Sequence, residues 1–453
     1  MQRTAHSIIA ALFLSAAAVS AGASAAAAAS AAAASAAVPA GGAGRVPESR
    51  RLTLAQALEL VDRQNPDLSQ RRARIDQADA AARQALAAVL PLVKATGAYT
   101  LNNEDARVTP PGGRELVLQP RDAFTASGSV QVPLFAQNAY SDIGRARELA
   151  RAERAGYEAD RHRLRGAVAR ACWLVESAHA ILRVAERGVS SAAEHHESTR
   201  RALAAGTATQ LAVLQAESDL ARRRGELAAA QASVGHAELA LGSLLGRAEP
   251  MRVEVQVLEQ AAGDAGAPAR HVDAALDTRH EVAQRAAEIR ASEHAVTSSS
   301  LRFLPGLSGS LSAFASDEPY VTGDQSGWRA GLELSWTLYD EARYAKRDEA
   351  IAERERARAA DKATRLAIAR EVRDAELDID VARERLAASS DESRSADETA
   401  RAAERSFAAG QASSLDVIDA HDRQTRAAVG LERARADLGI AVAALRTARG
   451  IAW

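Results

Sequence analysis

Cysteine is almost absent: Cys172 is the only one in 453 residues, which excludes an internal disulfide and any cysteine-built metal centre. Its helical surroundings mark it as a buried, inert thiol. Aromatic residues make up 4% of the chain and prolines number 12, and beside abundant Ala, Arg, Glu and Leu that scarcity predicts long helices. Charge of one sign is also missing. The formal net charge is −2, with acids and bases interleaved as on solvated helix surfaces, so no basic face speaks for nucleic acid. No glycine-rich phosphate loop follows a strand and no Ser/His/Asp elbow is present, so neither an enzyme nor a cofactor or metal site is expected. His195 and His196 are adjacent and diverge on a helix; they, with His162 and His179, read as exposed helix surface.

Past the first residues nothing approaches the roughly 20 apolar residues that a membrane-spanning helix needs. The start, "MQRTAHSIIAALFLSAAAVSAGASA", is basic, then apolar over too short a run, then small, which predicts a secretory signal peptide over 1–25. Residues 26–50 form a low-complexity Ala/Ser/Gly lead-in. With no cysteine near the cleavage region, no lipid attachment is expected there.

The chain repeats itself. "LAAGTATQLAVLQA", from Leu203, has a near twin in "FAAGQASSLDVIDA", from Phe407, and the same offset brings Leu227, Val234, Leu241 and Gly246 onto Leu431, Leu438, Leu445 and Gly450. The first repeat covers 51–246 and the second 279–453, joined by a Gly/Ala-rich linker at 247–278. Each holds a first helix ended by a proline (Pro91, Pro305), two strands, a long helix, a glycine turn and a last helix. Strands are predicted at about 92–102 and 124–134, then 306–316 and 328–338. Helices are predicted at about 140–204 and 209–245, then 341–408 and 413–449. One difference is a longer loop in the first copy between Ala98 and Phe124.

The strands alternate. Val93, Ala95, Gly97, Tyr99 and Leu101 oppose Lys94, Thr96, Thr100 and Asn102, and Trp328, Ala330, Leu332, Leu334 and Trp336 oppose Arg329, Glu333, Ser335 and Thr337. Runs of this length with one apolar and one polar face suit either half-buried soluble strands or tilted barrel staves. In a membrane four strands cannot close, because about eight make the smallest barrel, so the chain would join other copies. Heptad seams run along the long helices, as in Leu164, Val168, Ala171 and Val175, or Ile368, Val372, Ala375 and Ile379. At about 65 residues each such helix spans roughly 100 Å, more than a globular domain needs. The fold class is therefore mainly α with a small β part, a tandem-duplicated protomer giving four strands to a shared barrel and coiled-coil helices to a tube.

The twin turns are tips of helical hairpins. Gly206 and Gly410 end a helix in left-handed geometry, and Thr209 and Ser413 cap the next one. Only the second copy carries acids, Asp416 and Asp419, where the first has Ala212 and Gln215. Asp416 has capping-box spacing from Ser413, and Asp419 is either a solvated acid or, with Asp416, part of stacked carboxylate rings around a pore.

The stretches "LTLAQALELVDRQNPDL", "VLPLV", "VPLF", "AAGTATQLAVLQAESDLA" and "FAAGQASSLDVIDA", in order and in duplicate, resemble the TolC-like outer-membrane efflux proteins from Leu52 to Gly450. The resemblance implies a homotrimer with a twelve-stranded barrel in outer-membrane lipid and a twelve-helix tunnel in the periplasm. It implies an exit duct for a tripartite efflux pump or type I secretion system, partnered by a periplasmic adaptor and an inner-membrane transporter. Asp416 and Asp419 match the family's acidic constriction; Gly206, Thr209, Leu211, Gly410, Ser413 and Leu415 match the tips that meet the adaptor. Phe407 and Ala412 stand where the archetype has an aromatic hydroxyl and an arginine, so its closing contacts differ here. A periplasmic adaptor is the nearest rival, but it would show one hairpin between two lipoyl-like halves.

Overall fold

The computed structural model describes residues 52–108, 113, 116–254, 268–316 and 325–453; the signal peptide and lead-in expected over 1–50 lie outside them. A short strand β1, Leu52–Thr53, leads into α1, Leu54–Gln64. Thr53 and Gln56 form a capping box there. The chain then breaks at Asn65. Pro66 cannot continue α1 but fits the first turn of α2, Pro66–Ala87, and the Asn65 carboxamide accepts from the Asp67 and Leu68 amides.

Strand β2, Leu92–Leu101, is followed by a small hairpin, β3 at Ala106–Val108 and β4 at Leu116–Gln119, within the longer loop of the first copy. Strand β5, Asp122–Phe135, leads to α3, Ala139–Ala204, and α4, Gln210–Leu244. Residues 247–278, read from composition as a linker, hold β6, Val253–Glu254, paired with β1, and a helix α5, Pro268–Thr278. Helix α6, His280–Leu301, strands β7, Gly306–Ser316, and β8, Ser326–Ser335, and helices α7, Glu341–Ala408, and α8, Ser414–Ala448, complete the second copy. Strand β8 stops at Ser335, short of the expected 338, because its partner β7 begins at Gly306 opposite Ser335 and leaves nothing further to pair with.

The four long strands form one antiparallel sheet in the order β2-β5-β7-β8. Its register sorts side chains by polarity: Lys94, Ser129, Ser312 and Arg329 form one row across all four strands, and Val93, Val130, Leu311 and Ala330 form another on the opposite face. The Thr96 and Ser127 hydroxyls, on the polar face, lie 2.6 Å apart. Apolar side chains at the two edges stay open, with Val93 72%, Trp328 75% and Leu332 75% exposed. Among the described residues no helix is long and apolar enough to cross a membrane.

The core sits where the short helices cross the long ones. Ala57, Val61 and Leu68 pack with Val168, Cys172, Val175 and Leu241 in the first copy; Val272 and Ala275 of α5 pack with Ile368, Val372 and Ala375 in the second. Thus α5 does for α7 what α1 does for α3. Much of the seam read from sequence is buried: Val168 and Val175, and Ile368, Val372, Ala375 and Ile379, are nearly inaccessible, while Leu164 and Ala171 are part-exposed and Ala169 and Cys172 take inner positions beside them. Among the described residues every positive φ lies at a matched helix end, Gly206 at 78° and Gly410 at 72°, Gly246 at 75° and Gly450 at 67°.

Candidate functional site

Both hairpin tips are built by the same backbone chemistry. After α3 the Thr207 amide reaches back to the Ala202 carbonyl at 2.9 Å and the Gly206 amide to Leu203 at 2.9 Å; after α7, Gln411 reaches Ser406 at 2.8 Å and Gly410 reaches Phe407 at 2.9 Å. Only glycine holds the left-handed turn between them without strain. Thr209 then caps α4 through the Ala212 amide at 3.3 Å. Ser413 caps α8 more fully, because the Asp416 carboxylate returns the bond, accepting from the Ser413 amide at 2.8 Å and its hydroxyl at 2.7 Å. Those hydrogen bonds hold the Asp416 carboxyl below its usual range. Leu211 and Leu415, on the first turn past each cap, are 63% and 49% exposed.

Asp416 and Asp419 share an exposed face of α8, and among the described residues Asp419 has no side-chain hydrogen bond or ion pair. The opposite face, Val417, Ala420 and His421, is buried. The acids are thus displayed, and Asp416 is both a cap and a surface charge.

A second set of contacts, which sequence reasoning missed, ties the two hairpins together just behind the tips. Arg222 and Arg223 of α4 both donate to Asp422 of α8 at 2.7 Å, although the Arg223 side chain is only 3% exposed. Burial pushes the Asp422 carboxyl up, but hydrogen bonds from Arg426 and Arg222 outweigh it and leave it below its usual range. His195, expected on the surface, is buried: its Nε2 lies 2.9 Å from the Ser414 hydroxyl, and its ring meets Phe407 at 5.2 Å and His421 at 6.2 Å. His421 in turn lies 2.6 Å from Glu404. Burial, then the neighbouring His421, hold His195 below the ordinary imidazole range. Of the other histidines read as surface, His179 meets Glu238 at 2.8 Å and His162 the Thr447 carbonyl at 3.2 Å, while His196 stays part-exposed. The sequence signal was the placement of polar residues on the inner side of amphipathic helices, which a solvated-surface reading passes over.

A cavity of about 260 Å³ opens between the hairpins, lined in part by Asp219, Arg223, Asp397, His421 and Gln424. Among the described residues no group of His, Cys, Asp or Glu is placed to hold a metal ion.

A family model described as outer membrane efflux protein matches residues 57–247 and 271–450, one match for each copy. No curated protein matches the chain. Similar solved structures include a membrane protein from Pseudomonas aeruginosa, at 20% identity and TM-score 0.76 over 88% of this chain and 93% of that one. Another is the outer membrane protein VceC of Vibrio cholerae, at 19% identity and TM-score 0.73 over 88% and 96%. A third is the CmeC outer membrane channel of Campylobacter jejuni, at 14% identity and TM-score 0.73 over 92% and 94%. At these identities the likeness is one of fold.

Proposed function

The chain belongs to the outer membrane efflux protein family, and on that premise we propose that three copies close one duct, docked through its hairpin tips onto a periplasmic adaptor that links it to an inner-membrane transporter. Efflux across the outer membrane is the family's work, and it favours an exit duct over an adaptor. The observation that carries the trimer is the open sheet: four antiparallel strands with both edges free among the described residues and apolar side chains exposed at each. In lipid, every free edge group costs free energy, so the sheet must be completed by other copies. Three copies of four strands make a barrel wide enough to pass solutes.

The tips Gly206, Thr209, Leu211, Gly410, Ser413 and Leu415 form the adaptor-facing end in this reading, their exposed leucines supplying apolar contact. Asp416 and Asp419 face the axis there, so that symmetry repeats them as two stacked rings of carboxylates that narrow the opening and prefer cations. Asp416 stays ionised because Ser413 hydrogen-bonds its charged form. The arginine–Asp422 tie and the His195–Ser414 contact link the two hairpins in a chain where Phe407 and Ala412 replace the archetypal closing pair. Reversal potentials of the full-length protein in planar bilayers under a salt gradient test the acid rings. Asp416→Asn with Asp419→Asn should lose cation preference; a variant with unchanged selectivity would remove the acids from the pore.

A further inference from the structure

The exposed face of α8 that displays Asp416 and Asp419 does not end with them. Stepping alternately by three and four residues, it continues through Arg423, Arg426, Gly430 and Arg433, and all three arginines are exposed. Some exposed arginines of this chain lie beside a carboxylate one turn away, as Arg370 does beside Asp374 and Arg394 beside Asp391. Arg423 and Arg433 do not: each has an aspartate four residues away, Asp419 and Asp437, yet among the described residues neither makes an ion pair. Asp437 is engaged by Arg385 at 3.4 Å instead. Arg426 is tied to Asp422. The matching positions of α4 are Ala212, Gln215, Asp219, Arg222, Glu226 and Ala229, where the single arginine is offset by two acids and engaged with Asp422. The basic stripe is therefore a property of the second hairpin alone.

Resting on the reading that Asp416 and Asp419 face the axis, we propose that this stripe forms a guanidinium ladder behind the acidic constriction, a binding path for cargo bearing carboxylate or phosphate groups. Distance decides how the two bands act. At 1.5 Å per residue Arg423 stands about 6 Å along the helix from Asp419, and Arg433 about 21 Å. The screening length is about 8 Å at physiological salt. Arg423 therefore softens the field of the carboxylates, while Arg433 acts beyond their reach. A guanidinium without a protein partner keeps its paired donors free for an oxyanion, which it engages through two parallel hydrogen bonds. An anion that passes the constriction is held, and a zwitterion engages both bands at once.

The test uses the full-length protein reconstituted in planar bilayers, with inositol hexakisphosphate added on the hairpin side as the polyanionic probe. The wild type should be blocked reversibly. Arg423→Gln with Arg433→Gln should weaken the block about tenfold or more, the equivalent of one lost bidentate contact, and shift the reversal potential toward stronger cation preference. Arg423→Lys with Arg433→Lys keeps the charge and should restore the reversal potential but not the full block. Unheated gel migration checks that each variant assembles as the wild type does. If Asp416→Asn with Asp419→Asn changes selectivity while the glutamine variant alters neither block nor reversal potential, the ladder is wrong and the acid rings stand. If neither variant changes anything, the whole face lies outside the conducting path and both readings fall.

Discussion

The two halves of the chain spell almost the same fold and bury it very differently. Helix α3 has nineteen buried residues over 66, whereas α7 has seven over 68, so the second long helix leaves most of its surface open. Helix α3 packs chiefly on α1, α2, α4, α6 and α8, while α7 packs chiefly on α5, α6 and α8 and meets α3 near its tip, where Phe407 touches His195. Duplication supplies two equal units; packing within the chain makes them unequal. The same division is seen at the tips, where the first hairpin ends in neutral residues and the second in Asp416 and Asp419.

The sharpest break in this comparison is at Asp422, whose counterpart in the first copy is Ser218. Asp422→Ala strands Arg223, which is buried and keeps only Glu226 at 3.2 Å and Asp219 at 3.6 Å. Losing a charged hydrogen bond of this kind costs about 2–3 kcal/mol. The second tip should move away from the first, read as raised single-channel conductance together with easier thermal dissociation on gels; Ser218→Ala should do neither.

Next comes a pair of matched glycines. A Cβ at Gly439 would sit 2.3 Å from the Trp173 ring, yet at Gly235, its repeat partner, nothing lies within 4 Å. Gly439→Ala should therefore destabilise by about 1–3 kcal/mol through overpacking, and Gly235→Ala should stabilise by about 0.5–1 kcal/mol through helix propensity and a stiffer unfolded chain. Thermal dissociation of the two single variants checks the opposite signs.

Smaller again is the cap. Ser413→Ala should cost about 1 kcal/mol and free the Asp416 carboxylate from its lock, whereas Thr209→Ala removes a one-way cap with no acid behind it. Tip-specific hydrogen exchange should rise more in α8 than in α4.

Least in size is a dependence on pH. The folded chain holds His195 below its ordinary range of about 6.5, so the unfolded chain binds more protons as pH falls through that range. The stability that neutral His195 contributes is present above it and is lost below it. The groups facing His195 are His421, Ser414, Asp219 and Glu404. Thermal dissociation should shift downward between neutral and mildly acidic pH, and His195→Asn should flatten that shift.

Much of this architecture was legible in the sequence because it is periodic. Strand alternation, the heptad seam of Ile368 to Ile379 and the twin glycine turns each leave a repeating mark that local chemistry then obeys. Helix α5 was hidden because eleven residues are few turns in which to establish a period, and they follow a Gly/Ala-rich stretch. The burial of His195 and Arg223 was hidden for another reason. Whether a polar side chain on an amphipathic helix faces water or a neighbour depends on which helices pack there, and α3, α4 and α8 meet across two hundred residues of chain. Asp416 was half legible: its spacing from Ser413 announced the cap, but a cap and a pore charge have the same letter.

In the proposed trimer the open sheet is closed by identical copies, edge β2 of one against edge β8 of the next. Cys172 will not interfere with a cysteine test, since it is buried and burial pushes its thiol up to about 12. A cysteine at Thr96 combined in turn with one at Gly327, Arg329, Gly331 or Glu333, oxidised in isolated outer membranes, reads the contact directly. Disulfide-linked species that end at three copies are expected for at least one position. No cross-link at any position, or a ladder that runs on past three, would contradict it.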